Sequence, residues 1–270
     1  MIKRKPAVAG QFYSSDASEL ADEVGDYIKS GVKKERAIGI LSPHAGLMYS
    51  GQVAGAVFSR IEFPETFVII SPNHTGLGSS VSIMTSGEWQ MPTGDLTIDE
   101  KLAGKIAELC GVADADPSGL AHLMEHSIEV QLPFILHLSK DVRIVPITLM
   151  ADSLDTFRML GEAVADAVKD CGYPVTIVAS SDMSHYEEET IARSKDKKAI
   201  DMIVALNPEG LYNTVKREGI SMCGYGPATT MLYAANRLGA KKAELIKYMT
   251  SGDVNRDYSQ VVGYAGMIIK

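Results

Sequence analysis

Cysteine is scarce in this 270-residue chain: Cys110, Cys171 and Cys223 are an odd number at wide spacing. That excludes a disulfide framework and makes a reducing cytoplasm the simplest location. Long apolar runs are also missing. None reaches the roughly 18 residues of a membrane span, so no membrane association is expected. The opening M-I-K-R-K-P-A-V-A-G has basic residues but no continuous apolar stretch behind them, and does not read as a secretory signal. Positive charge is in deficit, with 26 Lys+Arg against 34 Asp+Glu and a net charge of -8, which argues against nucleic acid as the main partner. The basic clusters that do occur (Lys33, Lys34 and Arg36; Lys195, Lys197 and Lys198; Lys241 and Lys242) read as solvated helix ends or faces. No linker or low-complexity stretch divides the chain.

With 46% hydrophobic and 22% charged residues, the composition is that of a globular protein long enough to bury a large core. Apolar runs alternate with helical patterns, which predicts βαβ units around a largely parallel sheet. Strands are expected at 37–42, 67–71, 142–149, 174–180 and 261–269. Helices are expected at 16–29, 51–62, 98–110, 125–138, 153–171, 187–205, 208–217 and 227–238. Asp16 suits the N-cap of the first helix, Leu20, Val24 and Tyr27 or Ile28 form its apolar stripe, and Gly31 is its expected stop. Residues 81–97, which hold the only tryptophan, Trp89, read as a β excursion, and Pro133 is expected to kink the helix at 125–138. Residues 1–270 read as one domain with right-handed crossovers.

Two segments are near-repeats: G-I-L-S-P-H-A-G at 39–46 and I-I-S-P-N-H-T-G at 69–76. In each, a short apolar run ends in Ser-Pro and is followed by a histidine. His44 and His74 therefore lie just past the C-terminal ends of two strands, the edge where open α/β sheets bind ligands. Two histidines delivered by equivalent turns point to a shared site for a metal. A third run, P-V-T-I-V-A-S-S-D-M-S-H-Y at 174–186, ends on Asp182 and His185. A fourth segment, S-M-C-G-Y-G-P-A-T at 221–229, offers Cys223 just before a helix, where a thiol pKa is expected to fall.

Around these, His126 and Glu129 stand i, i+3 on one expected helix face and either line a pocket or pair with each other. Tyr49 is placed to reach the same mouth and Phe12 to form an aromatic wall, unless both pack in the core. A competing motif is His122-Leu-Met-Glu125-His126, an H-x-x-E-H pattern that would make a zinc peptidase if it lay on one helix. The helix is expected to begin near Glu125, which would leave His122 in a loop.

Taken together, S-P-H-A-G-x-x-Y-S-G, S-P-N-H-T-G, E-H-S-I-E-V-Q-L-P-F, S-S-D-M-S-H-Y, C-G-Y-G-P and D-Y-S-Q-V-V-G-Y-A-G resemble the Memo family over nearly the whole chain. The resemblance implies the fold of class III extradiol ring-cleaving dioxygenases: a largely parallel or mixed sheet with helices on both faces, akin to nucleoside phosphorylase-like folds. Carried over, His44 and His74 match the two histidine ligands of those iron enzymes, and Cys223 stands where their carboxylate would be. His185 matches the acid/base histidine, with Asp182 beside it, and Asn73, His126 and Tyr49 would contact substrate. A thiolate is softer than a carboxylate and favours copper(I), zinc or iron–thiolate chemistry. The resemblance implies iron(II) or copper, with zinc as a further option. The implied chemistry is redox, on a small-molecule or peptide ligand. The same resemblance offers an adaptor that binds peptides without catalysis, and a radical-SAM protein as a companion.

Overall fold

The computed structural model describes residues 2–270. In chain order the elements are β1 (Lys3–Arg4), α1 (Ala17–Tyr27), β2 (Gly39–Ser42), α2 (Leu47–Phe58), β3 (Thr66–Pro72), β4 (Val81–Ile83), β5 (Glu88–Met91), β6 (Gly94–Thr97), α3 (Glu100–Leu109) and β7 (Asp114–Ala115). They continue with α4 (Leu132–Leu138), β8 (Arg143–Leu149), α5 (Leu154–Cys171), β9 (Val175–Ser180), β10 (His185–Glu187), α6 (Glu189–Val204), α7 (Pro208–Glu218), α8 (Tyr225–Arg237), β11 (Ala243–Thr250), α9 (Gly252–Asn255) and β12 (Val261–Ile269).

The main sheet runs β10-β12-β2-β9-β3-β8-β4-β7, with β11 paired to β12. Its centre, β2-β9-β3-β8, is parallel, and β12 and β4 flank it antiparallel, so the sheet is mixed. Parallel strands are covered on both faces and read as unbroken apolar runs. β3, T-F-V-I-I-S-P, is buried at every position. Helices lie on both faces. Met231 of α8 presses on Gly39 of β2, while Val53 and Val57 of α2 press on Gly266 of β12. Gly39 pairs with Ile269, three residues from Gly266, so the two contacts fall on opposite faces. A small sheet, β1-β5-β6, buries Trp89 and accounts for most of the expected excursion at 81–97.

The long helices begin and end where capping chemistry directs them. Asp16 accepts the Ser18 and Glu19 amides at the head of α1, and Ser153 caps α5, which stops at Gly172 in the left-handed region. Three expectations shift. α1 ends at Tyr27, because Ile28 is already extended, and Gly31 does not terminate it. α2 starts at Leu47, immediately after the histidine turn, because the Leu47 amide is taken by the Phe12 carbonyl. The helix expected at 125–138 begins only at Leu132, so Pro133 sits in its first turn, where its missing N–H costs nothing, and kinks nothing.

Candidate metal centre

Parallel strands put equivalent chain ends on one edge. Ser42 of β2 is in register with Ser180 of β9, and β3 lies on the other side of β9. Two residues beyond the ends of β2, β3 and β9 stand His44, His74 and Asp182. The loop that leads into α4 adds His126. The ring nitrogens of His44, His74 and His126 approach within 4.8 Å of one another, close enough to hold one metal ion.

Hydrogen bonding fixes which nitrogen each ring offers. The Ser180 hydroxyl donates to the Ser127 carbonyl (2.6 Å) and thereby uses its only proton. Its contacts with Gln131 Nε2 (2.8 Å) and His44 Nδ1 (2.9 Å) are therefore accepted, which makes His44 Nδ1 the protonated nitrogen. The lone pair of His44 sits on Nε2, and the Cys223 sulfur lies 3.3 Å from it. Two ligands on one tetrahedral ion would stand about 3.5 Å apart at ordinary metal–nitrogen and metal–sulfur lengths.

Glu125 performs the same service for the other two rings. Its buried carboxylate accepts from His74 Nδ1 (3.0 Å), the His126 and Ser127 amides, and the Ser127 hydroxyl, and its Oε1 is 3.4 Å from His126 Nδ1. The His44 and His74 rings are thus tied back through Nδ1, which leaves their Nε2 for a ligand, and the His126 ring stands with Nδ1 beside the same carboxylate. A carboxylate or hydroxyl behind each imidazole is the arrangement that orients and strengthens histidine ligands, so the donor set fits a metal.

Charge follows from burial and pairing. Burial pulls the His44 pKa well below its ordinary value, which keeps it neutral and ready to ligate. Burial also lowers that of His126. At His74 burial acts in the same direction, but the Glu125 carboxylate outweighs it and the pKa rises. Burial pushes the Glu125 carboxyl up, and the bonds from His74 more than reverse this, so it stays ionised well below the usual carboxylate range. Cys223 departs from the sequence expectation. It precedes Gly224 and α8, but burial, followed by the Asp182 charge, raises its thiol pKa. An ion bound to the sulfur would supply the missing force for deprotonation.

A family model described as Memo-like protein matches residues 4–268. The chain belongs to the Memo family. A MEMO1 family protein of Methanopyrus kandleri is 42% identical over 283 residues, covering 100% of this chain and 99% of the relative. One from Methanocaldococcus jannaschii is 44% identical over 286 residues, covering 99% of each. The crystal structure of an uncharacterized protein from Escherichia coli K12 superposes with a TM-score of 0.60 at 15% identity, covering 86% of this chain and all of that one. That likeness establishes a shared fold.

In this Memo-family chain the remaining expected residues fall in several places. Asp182 Oδ1 accepts the His44 amide (2.8 Å) and its own amide points to Cys223 sulfur (3.3 Å), so it braces both turns. Burial raises its pKa to about 6. His185 Nδ1 donates to the Ser221 carbonyl (2.9 Å), which leaves Nε2 unprotonated in the neutral ring. Phe12 packs on His126 with ring centroids 4.8 Å apart. Tyr49 lies in the first turn of α2 beside Gly46 and lines the neighbouring groove. Asn73 is spent on its own turn, accepting from Thr75 and Gly76 and donating to Leu77.

Glu129 does not pair with His126. It is fully buried and holds Arg4, the Tyr13 hydroxyl and the Ala7 and Val8 amides. The expected His126–Glu129 helix face does not form, because residues 123–128 are not helical. His122 is apart as well. It is buried against Trp89 at 5.9 Å, and the segment between it and His126 is no α-helix, so the H-x-x-E-H pattern does not make a two-histidine face. Sequence reasoning missed Ser180 and Gln131 behind His44, and it gave Glu125 only a peptidase role. The Ser at or next to the ends of β2, β3 and β9 was the available signal. Gly224 was also missed. A Cβ there would meet the Ser180 carbonyl at 2.3 Å, so only glycine lets α8 seat Cys223 against the site.

A larger cleft, 710 Å³, opens at the opposite edge of the sheet between Arg36, Lys169, Tyr173 and Lys270. No histidine, cysteine or acid lines it.

Proposed function

We propose that the histidine cluster at the C-terminal edge of the parallel strands holds one metal ion through His44, His74 and Cys223, with His126 beside them, and that it carries out metal-dependent redox chemistry on a small substrate. The observation that carries the reading is the orientation of the rings. Nδ1 of each imidazole faces a hydroxyl or carboxylate, and the lone pair of His44 Nε2 faces a thiol 3.3 Å away. Iron(II) or copper suits two imidazoles and a thiolate best, and zinc follows. Bound there, such an ion supplies Lewis acidity and, for iron or copper, one-electron redox chemistry.

The chain's own residues do the rest. His185, with Nδ1–H fixed on Ser221, offers Nε2 to take a proton from a bound substrate and return it. Asp182 holds the His44 turn and keeps a negative or protonatable group beside the sulfur. Phe12 and Tyr49 wall the approach.

The test is anaerobic titration with iron(II) and with copper(I), followed by oxygen uptake in the presence of a reductant. One equivalent bound, with metal-dependent uptake that falls in His185→Ala while the metal stays, supports the reading. Full binding without uptake in any protein rejects redox chemistry and favours the peptide-binding adaptor.

A further inference from the structure

We infer that the groove between the 10–15 segment and the start of α2, with Glu23 of α1 on its wall, binds the ammonium group of an amine with an apolar or aromatic body. This goes beyond the reading above and does not depend on it. The groove has a volume of 570 Å³, within the range of about 300–1,000 Å³ typical of small-molecule sites. Phe12, Met48 and Tyr49 give it apolar and aromatic surface, and Gly46, Ser14 and Glu23 complete the part that matters.

The groove lies beside the cluster. Phe12 is the same residue that packs on His126, and Gly46 lies two residues past His44. The two walls are fastened together by the Leu47 amide on the Phe12 carbonyl (2.8 Å).

Glu23 decides the sign of the ligand. No lysine, arginine or histidine lines the groove, and the Ser14 amide is the polar neighbour of the half-buried Glu23 carboxylate. The wall behind it adds to the negative field. From Asp16 to Tyr27 the chain carries Asp16, Glu19, Asp22, Glu23 and Asp26 and no basic residue. A carboxylate without a basic partner in a groove lined by aromatic residues attracts an ammonium ion and repels an anion of the same shape. Met48, 60% exposed on the rim, is apolar surface that the body of such a ligand would cover.

The test is calorimetric titration of metal-free wild type and Glu23→Gln with 2-phenylethylamine and with 3-phenylpropionate. The amine should bind metal-free wild type. The carboxylate should bind at least tenfold more weakly, and Glu23→Gln should lose about tenfold in amine affinity, the order expected for a lost charge-assisted contact. An unchanged melting temperature in Glu23→Gln excludes misfolding as the cause. Equal binding of the carboxylate, undiminished amine binding in Glu23→Gln, or no amine binding to wild type overturns the assignment. Amine binding in a protein that takes up no metal would reject the metal reading and leave the groove standing. Metal uptake without amine binding would do the reverse.

Discussion

At the scale of single residues, the site is governed by groups that would not touch the ion. Glu125 fixes Nδ1 of His74 and stands beside that of His126, so Glu125→Gln removes a charge without removing volume. Metal affinity should then fall about 10- to 100-fold, read by competition with a chelator, since outer-sphere partners of histidine ligands carry effects of that size. His122 makes a separate prediction. It is fully buried with neither ring nitrogen hydrogen-bonded, and burial lowers its pKa to about 4. The unfolded chain takes up that proton near pH 6.5 and the folded chain does not, so stability falls as pH drops from 6.5 toward 4. Between pH 7 and 4.5 this group should cost about 2 kcal/mol, and urea unfolding of His122→Phe should show that much less acid sensitivity than wild type. His44, His74, Asp182, His185 and Cys223 were legible in the sequence because each follows a strand-like run or precedes a helix. His126 was expected at the substrate on a helix face, but it stands beside His44 and His74 on an irregular loop, because its neighbourhood reads as helix.

At the scale of elements, a short turn after a parallel strand is the repeated unit, and α8 closes the set by bringing Cys223 against His44. Gly224 is the hinge of that fit. Gly224→Ala should lower stability by about 1–3 kcal/mol in chemical denaturation, the usual range for overpacking, and should weaken metal binding further than any stability loss explains. The central strands and capped helices were readable because buried strands are continuous apolar runs and helix starts carry Asp or Ser. β11 was not foreseen. Its sequence A-E-L-I-K-Y-M-T is half-buried with polar residues along it, so it lacks the unbroken apolar signal of the parallel core. α4 was misjudged because a proline in an apolar run looks like an interruption until the start of the helix is known.

At the scale of the molecule, the N-terminal segment and the histidine loop are locked together through the interior. Arg4 donates to the carbonyls of His122 (3.0 Å) and Glu125 (2.6 Å), stacks on Trp89 and pairs with Glu129. Glu129 in turn gathers Tyr13 and the Ala7 and Val8 amides. Breaking a buried pair leaves an uncompensated charge, so Glu129→Gln should cost about 3–5 kcal/mol of stability in denaturant unfolding. No sequence pattern announces a pair separated by 125 residues, and only folding brings it together. The same holds for the cleft itself, whose donors come from four separated stretches of chain. These donors are proposed to hold one metal ion. The direct measurement is elemental analysis of anaerobically purified wild type beside His44→Ala and Cys223→Ser. About one equivalent of iron or copper in wild type, lost from both variants, is the predicted result. Equal metal content in all three proteins, or none in wild type even after reconstitution, would contradict it.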